Sequence, residues 1–266
     1  MDSWHSNSSL PPPTVLCVHG AGAGGWEWGI WARVLAARGL RTLTPDLVPA
    51  DAGLSATRFE DYRGQVLEWA ALETAGSGQP PILVGASLGG LLALSVAAAV
   101  KSPALILVNP MPPRGIVSKP LGSQYPAVLR WGSNRSIAGT REAMRDADDA
   151  ACLFAFRRWR DESGLALEQA RLGMAVDPPR CPALVMASDL DADVPLVVSR
   201  ELAMRYAADF EQLAGCSHVG PLLGARAAGI AARAADWLLS PGGPAQPRDV
   251  ASASAQTGDD PARRGA

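Results

Sequence analysis

The chain has 266 residues, 48% of them apolar and 19% charged, which is enough to bury the core of one large α/β domain. Its formal charge of −2 provides no basic surface for nucleic acid. The longest apolar run, Leu91 to Val100, is about half as long as a membrane-spanning helix. Composition therefore predicts a globular protein with neither nucleic acid nor a membrane as its partner.

The N-terminus and the cysteines bear on the cellular compartment. Residues 1–7 have neither the basic nor the apolar segment of a signal peptide. The four cysteines are scattered and form no C-x-x-C pair, a distribution typical of reduced thiols and unlike that of a zinc site. We therefore expect a cytoplasmic protein that needs no metal or cofactor.

Apolar runs bounded by glycine or proline predict strands that alternate with helices. The predicted strands are 14–18, 40–44, the run before Gly85, 104–108, 182–187 and 210–213. The predicted helices are 26–38, 59–75, 88–100, 195–208 and 219–239. This alternation, with short connections, predicts a parallel sheet covered by helices on both faces.

Residues 111–180 interrupt the alternation and contain no strand-like run. About three amphipathic segments there, with aromatic residues at helical spacing, predict a helical cap over one end of the sheet. The core is then formed by residues 14–110 and 181–239. Residues 1–13 are polar and then proline-rich, and are expected to be a flexible lead-in. Residues 240–266, rich in small and charged residues, are expected to be a disordered tail.

One turn carries the pattern of a nucleophile elbow. Gly85 and Gly89 flank Ser87 two residues to each side, between a predicted strand and a predicted helix. Glycine permits both the strained turn and the close approach of strand and helix, because it has no Cβ. A serine hydroxyl on such a turn predicts nucleophilic catalysis.

A serine nucleophile needs a base, and the chain contains three histidines. His5 lies in the irregular N-terminus. His19 precedes Ser87, against the serine, acid, histidine chain order in which the triad partners of such a turn occur. His218 follows the last predicted strand, where a base is required, so it is the predicted base.

The acid that orients the base should follow strand 182–187, where three aspartates occur. Asp193 also fits the cap of the next helix, and Asp189 also fits a turn former. Asp191 lies between them and is favoured. The other position at which an acid could stand, after strand 104–108, holds Asn109 and no carboxylate.

Attack by a serine nucleophile on a carbonyl group also requires backbone donors for the developing oxyanion. The amide of Leu88, directly after the serine, is one candidate. The glycine-rich turn after His19 offers the other, at Ala21. The same turn could suggest a phosphate-binding loop, but it lacks the Lys-Ser/Thr ending and the spacing that nucleotide-binding loops require.

Together these motifs resemble the α/β-hydrolase superfamily over about residues 14–239. The run His19-Gly20-Ala21-x-x-Gly24-x-Trp26-x-Trp28 is similar to the small plant methylesterase and hydroxynitrile lyase branch and its bacterial relatives. The D-x-x-V-P run from Asp191 to Pro195 is similar to the acid motif of the family. The resemblance implies a Ser87–His218–Asp191 triad, an oxyanion hole from Ala21 and Leu88, a cap at 111–180 and about six parallel strands.

Two departures from that branch favour hydrolysis over lyase chemistry. The lyases carry threonine after the first motif histidine and lysine after the catalytic histidine, where this chain has Gly20 and Val219. Trp26, Met111 and Trp131 are further candidates for the substrate pocket, beside these two positions.

We therefore expect a carboxylesterase-like serine hydrolase that acts on a small ester or lactone, as a monomer or homodimer. Carbon–carbon bond hydrolysis or cofactor-free lyase chemistry on the same fold is the alternative within enzymes. A small-molecule-binding protein without catalytic activity is the alternative outside them.

Overall fold

Six parallel strands form the central sheet of the computed structural model, which describes residues 12–117, 119–120, 122–241 and 244. In chain order the strands of the described residues are β1 (Thr14–Val18), β2 (Arg41–Leu43), β3 (Ile82–Ala86), β4 (Leu105–Val108), β5 (Val128–Leu129), β6 (Glu162–Ser163), β7 (Ala183–Ser188) and β8 (Asp209–Leu213). The central sheet has the order β2-β1-β3-β4-β7-β8, and every pair in it is parallel. The predicted α/β fold with about six parallel strands is confirmed.

Helices cover both faces of this sheet. Their bounds are α1 (Gly29–Ala37), α2 (Phe59–Ser77), α3 (Leu88–Val100), α4 (Ile137–Ala143), α5 (Asp149–Phe156), α6 (Gly164–Leu172), α7 (Leu196–Arg205), α8 (Gly220–Leu223) and α9 (Ala227–Leu239). The helices α1 and α9 share one core cluster with the sheet, and α2 and α3 share the other. The strands therefore lie between two apolar layers, as a parallel sheet requires.

Burial along the strands explains why they appear in the sequence as continuous apolar runs. Every residue of β3, β4 and β7 is buried, whereas the edge strands β2 and β8 include exposed residues. A strand that is covered on both faces gains from apolar side chains at every position, at about 25 cal/mol for each Å² buried. The central strands thus form the buried core of the sheet, and the loops that follow them extend from its end.

The segment between β4 and β7 differs in one respect from the prediction. It contains α4, α5 and α6, but also an antiparallel pair in which Val128 faces Ser163 and Leu129 faces Glu162. Strands of two residues are too short to produce a periodic pattern, which is why the sequence did not indicate them. We call residues 111–180 the cap segment.

The last predicted helix, 219–239, is two helices rather than one. Gly224 has extended backbone (φ −77°, ψ 175°) and separates α8 from α9. A Cβ at Gly224 would lie 2.9 Å from Oδ2 of Asp146 in the cap segment. The amide of Ala225 also donates to the carbonyl oxygen of Asp146 at 3.3 Å, so the chain passes close to the cap segment where the two helices are separated.

The predicted lead-in and tail fall almost entirely outside the described residues. No helix within the described part of the chain is both long enough and apolar enough to cross a membrane.

Candidate active site

Ser87 occupies the turn between β3 and α3, with φ 52° and ψ −118°. A positive φ is uncommon for a residue with a side chain and marks a strained turn. A Cβ at Gly85 would lie 2.2 Å from the carbonyl oxygen of Gly89, and a Cβ at Gly89 would lie 2.2 Å from that of Val18. Only glycine fits at these two positions, so the flanking glycines are required for the turn that exposes Ser87.

A backbone hydrogen bond holds Ser87 in place, and a helix begins at the next residue. Its carbonyl oxygen accepts the amide of Met111 at 3.0 Å. The helix α3 begins at Leu88, so the amide of Leu88 is one of the first-turn groups that have no acceptor within the helix. The side chain of Leu88 is fully buried in the core. What Leu88 offers to the site is its backbone.

A short hydrogen bond joins His218 to Asp191. His218 Nδ1 lies 2.7 Å from Oδ2 of Asp191, and the Asp191 side chain is 0% exposed. Oδ1 of Asp191 accepts the amides of Asp193 and Val194, at 2.8 and 2.9 Å. The carboxylate is therefore held on both oxygens, and it holds the imidazole in one orientation.

The two neighbouring aspartates, Asp189 and Asp193, do not hydrogen-bond to the imidazole of His218. Asp189 accepts the amide of Gly215 at 2.7 Å and so connects the loops after β7 and β8. The side chain of Asp193 is 75% exposed, and its Oδ2 lies 4.0 Å from His218 Nε2. The structure thus brings Asp191, rather than Asp189 or Asp193, into a hydrogen bond with the imidazole.

These contacts change the acidity of His218. Burial disfavours the imidazolium, but the hydrogen bond and charge of Asp191, with a smaller contribution from the charge of Asp193, outweigh it and raise the pKa of His218 above its usual value. An imidazole of raised pKa is a stronger base, and its protonated form is stabilised.

Asn109, at the position that lacks an acid, connects the loops that carry His218 and Asp191. Its Nδ2 donates to the carbonyl oxygen of His218 at 2.8 Å and to Oγ of Ser188 at 2.9 Å. Its Oδ1 accepts the amide of Ser188 at 2.7 Å. The side chain is buried and the backbone is left-handed, with φ 45°. The sequence marked this position only by the absence of a carboxylate.

His19 is buried and holds the glycine-rich turn. Its Nε2 accepts the amide of Leu47 at 2.9 Å, so the ring proton is on Nδ1, which donates to the carbonyl oxygen of Gly20 at 2.8 Å. Burial lowers the pKa of His19 to about 4, so the ring is neutral near pH 7. Both ring nitrogens of His19 are therefore engaged by the backbone of this turn and of Leu47.

Two residues of the cap segment also hydrogen-bond to this turn. The amide and Nε of Arg160 donate to the carbonyl oxygens of Gly22 and Ala23, at 2.8 and 2.6 Å. Oε2 of Glu162 accepts the amide of Gly22 at 2.9 Å, and its Oε1 accepts the hydroxyl of Tyr62 at 2.6 Å. Such contacts join residues far apart in the chain, and nothing in the local sequence indicates them.

A cavity of about 600 Å³ lies between the sheet and the cap segment. Most of the residues singled out in the sequence line it, namely Gly20, Ala21, Ser87, Met111, Trp131, His218 and Val219. Trp26 does not: its ring packs edge-on against Phe154 and Trp159, with centroids 5.7 and 5.4 Å away. Trp26 thus anchors the cap segment instead of lining the pocket. Its neighbour Glu27 does line the cavity, and no motif in the sequence marks this residue.

One group of three side chains in the described residues has donor atoms close enough for a metal ion. The donor atoms of Asp191, Asp193 and His218 lie within 4.8 Å of one another. Both oxygens of Asp191 are already engaged, by backbone amides and by the imidazole. The arrangement fits an oriented base better than a metal centre.

The sheet order and the turn at Ser87, with the Asp191–His218 pair, define the architecture of an α/β hydrolase. The family profile described as "Alpha/beta hydrolase family" matches residues 15–253, so the chain belongs to that family. A comparison with curated sequences found no significant match.

Solved structures with the same fold include several esterases. A metagenome-derived lipolytic enzyme has a TM-score of 0.64 and 19% identity, covering 85% of this chain and 93% of that one. A methylesterase from Arabidopsis (TM-score 0.62, 18% identity) and polyneuridine aldehyde esterase (TM-score 0.61, 16% identity) each cover 85% of this chain and are themselves covered completely. At these identities the likeness concerns the fold. It agrees with the branch that the motifs indicated, and the resemblance is confirmed at the level of family and fold.

Proposed function

We propose that the protein is a serine hydrolase that cleaves a small ester or lactone through an acyl-enzyme. The observation that carries the proposal is that Ser87 and His218 line one cavity while His218 is bonded at 2.7 Å to the buried Asp191. Nucleophile, base and orienting acid thereby come from three separate loops at the same edge of the sheet.

In the first half of the reaction Ser87 Oγ attacks the ester carbonyl carbon, and His218 Nε2 accepts the hydroxyl proton. Asp191 stabilises the imidazolium through its bond to Nδ1. As the bond between the carbonyl carbon and the alcohol oxygen breaks, His218 Nε2 gives the proton to that oxygen and the alcohol leaves. In the second half His218 deprotonates a water molecule, which attacks the acyl carbon and releases the acid.

The oxyanion that forms in each half would be bound by the amides of Ala21 and Leu88. Ala21 lines the cavity in the turn that His19 and Arg160 hold, and the amide of Leu88 stands at the start of α3. A rigid donor of this kind lowers the barrier by about 3 kcal/mol.

Aryl esters of increasing acyl length, with active-site titration by a fluorophosphonate, test the proposal. We expect turnover of a short ester and stoichiometric labelling of Ser87. A protein that binds such esters without turnover or labelling would instead be a binding protein on this fold.

The residues next to the nucleophile and the base favour hydrolysis over cyanohydrin cleavage. Val219 lines the cavity beside His218 and offers no cation for a departing cyanide, and Gly20 offers no hydroxyl. We therefore expect a short aryl ester to be hydrolysed and mandelonitrile to be left essentially uncleaved. Cyanide release without ester turnover, measured in parallel assays, would contradict this expectation.

The raised pKa of His218 predicts where activity falls in acid. The base must be neutral, so kcat/KM should decline as pH falls through this pKa, at a pH above 6.5. Asp193→Asn removes one of the charges that raise it, so the acid limb should move to lower pH. Asp189→Asn is the matched control, because Asp189 is bonded to the Gly215 amide and should leave the limb in place. An equal shift in both variants would disprove the role of Asp193.

Asn109 is predicted to position the base. Asn109→Ala leaves the carbonyl of His218 and the amide of Ser188 without their partner, and should lower kcat by about 10- to 100-fold with little change in KM. Ser102→Ala is the control. The hydroxyl of Ser102 is also buried and donates to two carbonyl oxygens, those of Pro81 and Ala104, but it lies at the opposite end of the strands. The measurements are the melting temperature and kcat of both variants. A loss of kcat in Asn109→Ala no larger than that in Ser102→Ala would mean that Asn109 only stabilises the fold.

A further inference from the structure

Glu27 is a buried carboxyl group that the proposed reaction does not use. It lies in the 3-10 helix Gly25–Trp28, is 3% exposed and lines the cavity. Oε1 accepts the amide of Gly20 at 2.8 Å. Among the described residues no group is bonded to Oε2, so half of this carboxyl group is free to meet a ligand.

The carboxyl group lies at the reacting end of the cavity. A Cβ at Gly20 would lie 3.4 Å from Cβ of Ser87 and 3.9 Å from Oε1 of Glu27. Glu27 and the nucleophile therefore flank the same glycine. His218 lines the same cavity as Glu27 and Ser87, so the proposed base is also at this end.

The surroundings keep this group protonated near neutral pH. Burial raises the pKa of Glu27 to about 8, although the Gly20 amide and the charges of His218 and Arg160 act in the opposite direction. The thiol of Cys17 is the other titratable group that interacts with Glu27, and it is neutral because burial raises its pKa. A protonated carboxyl group has one O–H donor, and the Gly20 contact uses only an acceptor.

We propose that Glu27 recognises the substrate by donating its carboxylic O–H to an uncharged acceptor, an ether, ketone or second ester oxygen, a few bonds from the scissile carbonyl. The inference rests on the proposed esterase function and names the substrate class of the same site. An ester that lacks such an acceptor leaves the buried O–H without a partner, which weakens its binding in the transition state.

Glu27 also contributes the acceptor for the Gly20 amide, and the test separates the two roles. Glu27→Gln keeps both an acceptor and a donor, and its donor does not titrate. Glu27→Leu removes both. Glu73→Gln is the control for loss of a buried carboxyl group, because Glu73 is bonded to Thr14 and Arg41 and does not line the cavity.

The substrates are phenyl 3-methoxypropanoate and phenyl pentanoate, which have equal chain length and differ in one ether oxygen. At pH 6.5 the ratio of their kcat/KM values should be about tenfold higher in the wild type, Glu27→Gln and Glu73→Gln than in Glu27→Leu. In the wild type this ratio should fall as pH rises through about 8, where Glu27 ionises, and in Glu27→Gln it should not.

Each result bears on a separate claim. A ratio that is the same in all four proteins, or independent of pH in the wild type, would overturn the role of Glu27 while leaving the esterase function in place. Absence of turnover of both esters by the wild type would overturn the esterase function, and this inference with it. If Glu27→Leu does not fold, the pH dependence of the ratio in wild type and Glu27→Gln decides alone. Infrared difference spectra of these two proteins below pH 8 should show a protonated carboxyl band only in the wild type, and its absence would also overturn the inference.

Discussion

Ser87→Ala is expected to lower kcat for a short aryl ester by about 10⁵- to 10⁶-fold and to leave the fold intact. The variant lacks the oxygen that forms the acyl bond, so only the donors of the cavity remain to assist attack by water. Its backbone keeps the same left-handed turn, because alanine carries the same Cβ as serine, so the strain at φ 52° is unchanged. The melting temperature should therefore stay within a few degrees of that of the wild type.

Ser95→Ala is the matched control for this substitution. Ser95 lies on the same helix, and its hydroxyl donates to the carbonyl oxygen of Leu92 at 2.7 Å, away from the residues that line the cavity. Full activity and full fluorophosphonate labelling are expected for it, and neither for Ser87→Ala. If Ser87→Ala kept more than a few per cent of kcat, another nucleophile would be responsible.

Asp191→Asn is expected to cost on the order of 10⁴ in kcat. Oδ1 of residue 191 accepts two backbone amides, so an asparagine at this position should keep its oxygen there and turn its NH₂ group toward His218 Nδ1. An NH₂ group can only donate, which forces the imidazole proton onto Nε2. Nε2 is the atom that must accept the proton of Ser87, so the base would be present in the wrong tautomer.

The neighbouring aspartates serve as controls for this second prediction. Asp189→Asn and Asp193→Asn change a loop contact and an exposed side chain, and each should cost far less than Asp191→Asn in steady-state kcat at the pH optimum. Equal losses at positions 189 and 191 would show that the acid has been assigned to the wrong residue.

The local pattern predicted the sheet, which the structure confirms, and it predicted the residues of the proposed triad, which stay a prediction. Strands buried on both faces are apolar at every position, and a sharp strand-to-helix turn requires glycines two residues from Ser87, so both leave a signal in consecutive residues. Chain order then selected His218, and the family motif selected Asp191. The branch that these motifs indicated is confirmed at the level of family and fold.

The remaining features of the candidate site depend on contacts between residues that are far apart in the sequence. Asn109 meets the His218 loop across 109 positions of sequence, and Glu162 of the cap segment meets Gly22 across 140. Trp26 was expected in the pocket and packs under the cap segment, while its neighbour Glu27 faces the cavity. Which of two adjacent side chains faces the cavity depends on the path of a short 3-10 helix and on what packs above it.

The sequence by itself determined the fold class and the nucleophile turn, because both depend on residues that are neighbours in the chain. It also supplied the candidates for base and acid, through chain order and the family motif. The tertiary structure alone decided the hold of the cap segment on the glycine-rich turn, the contact between Asn109 and the His218 loop, and the burial of Glu27 beside the cavity. These features depend on packing, burial and charge, which arise only when segments far apart in sequence exclude water from one another.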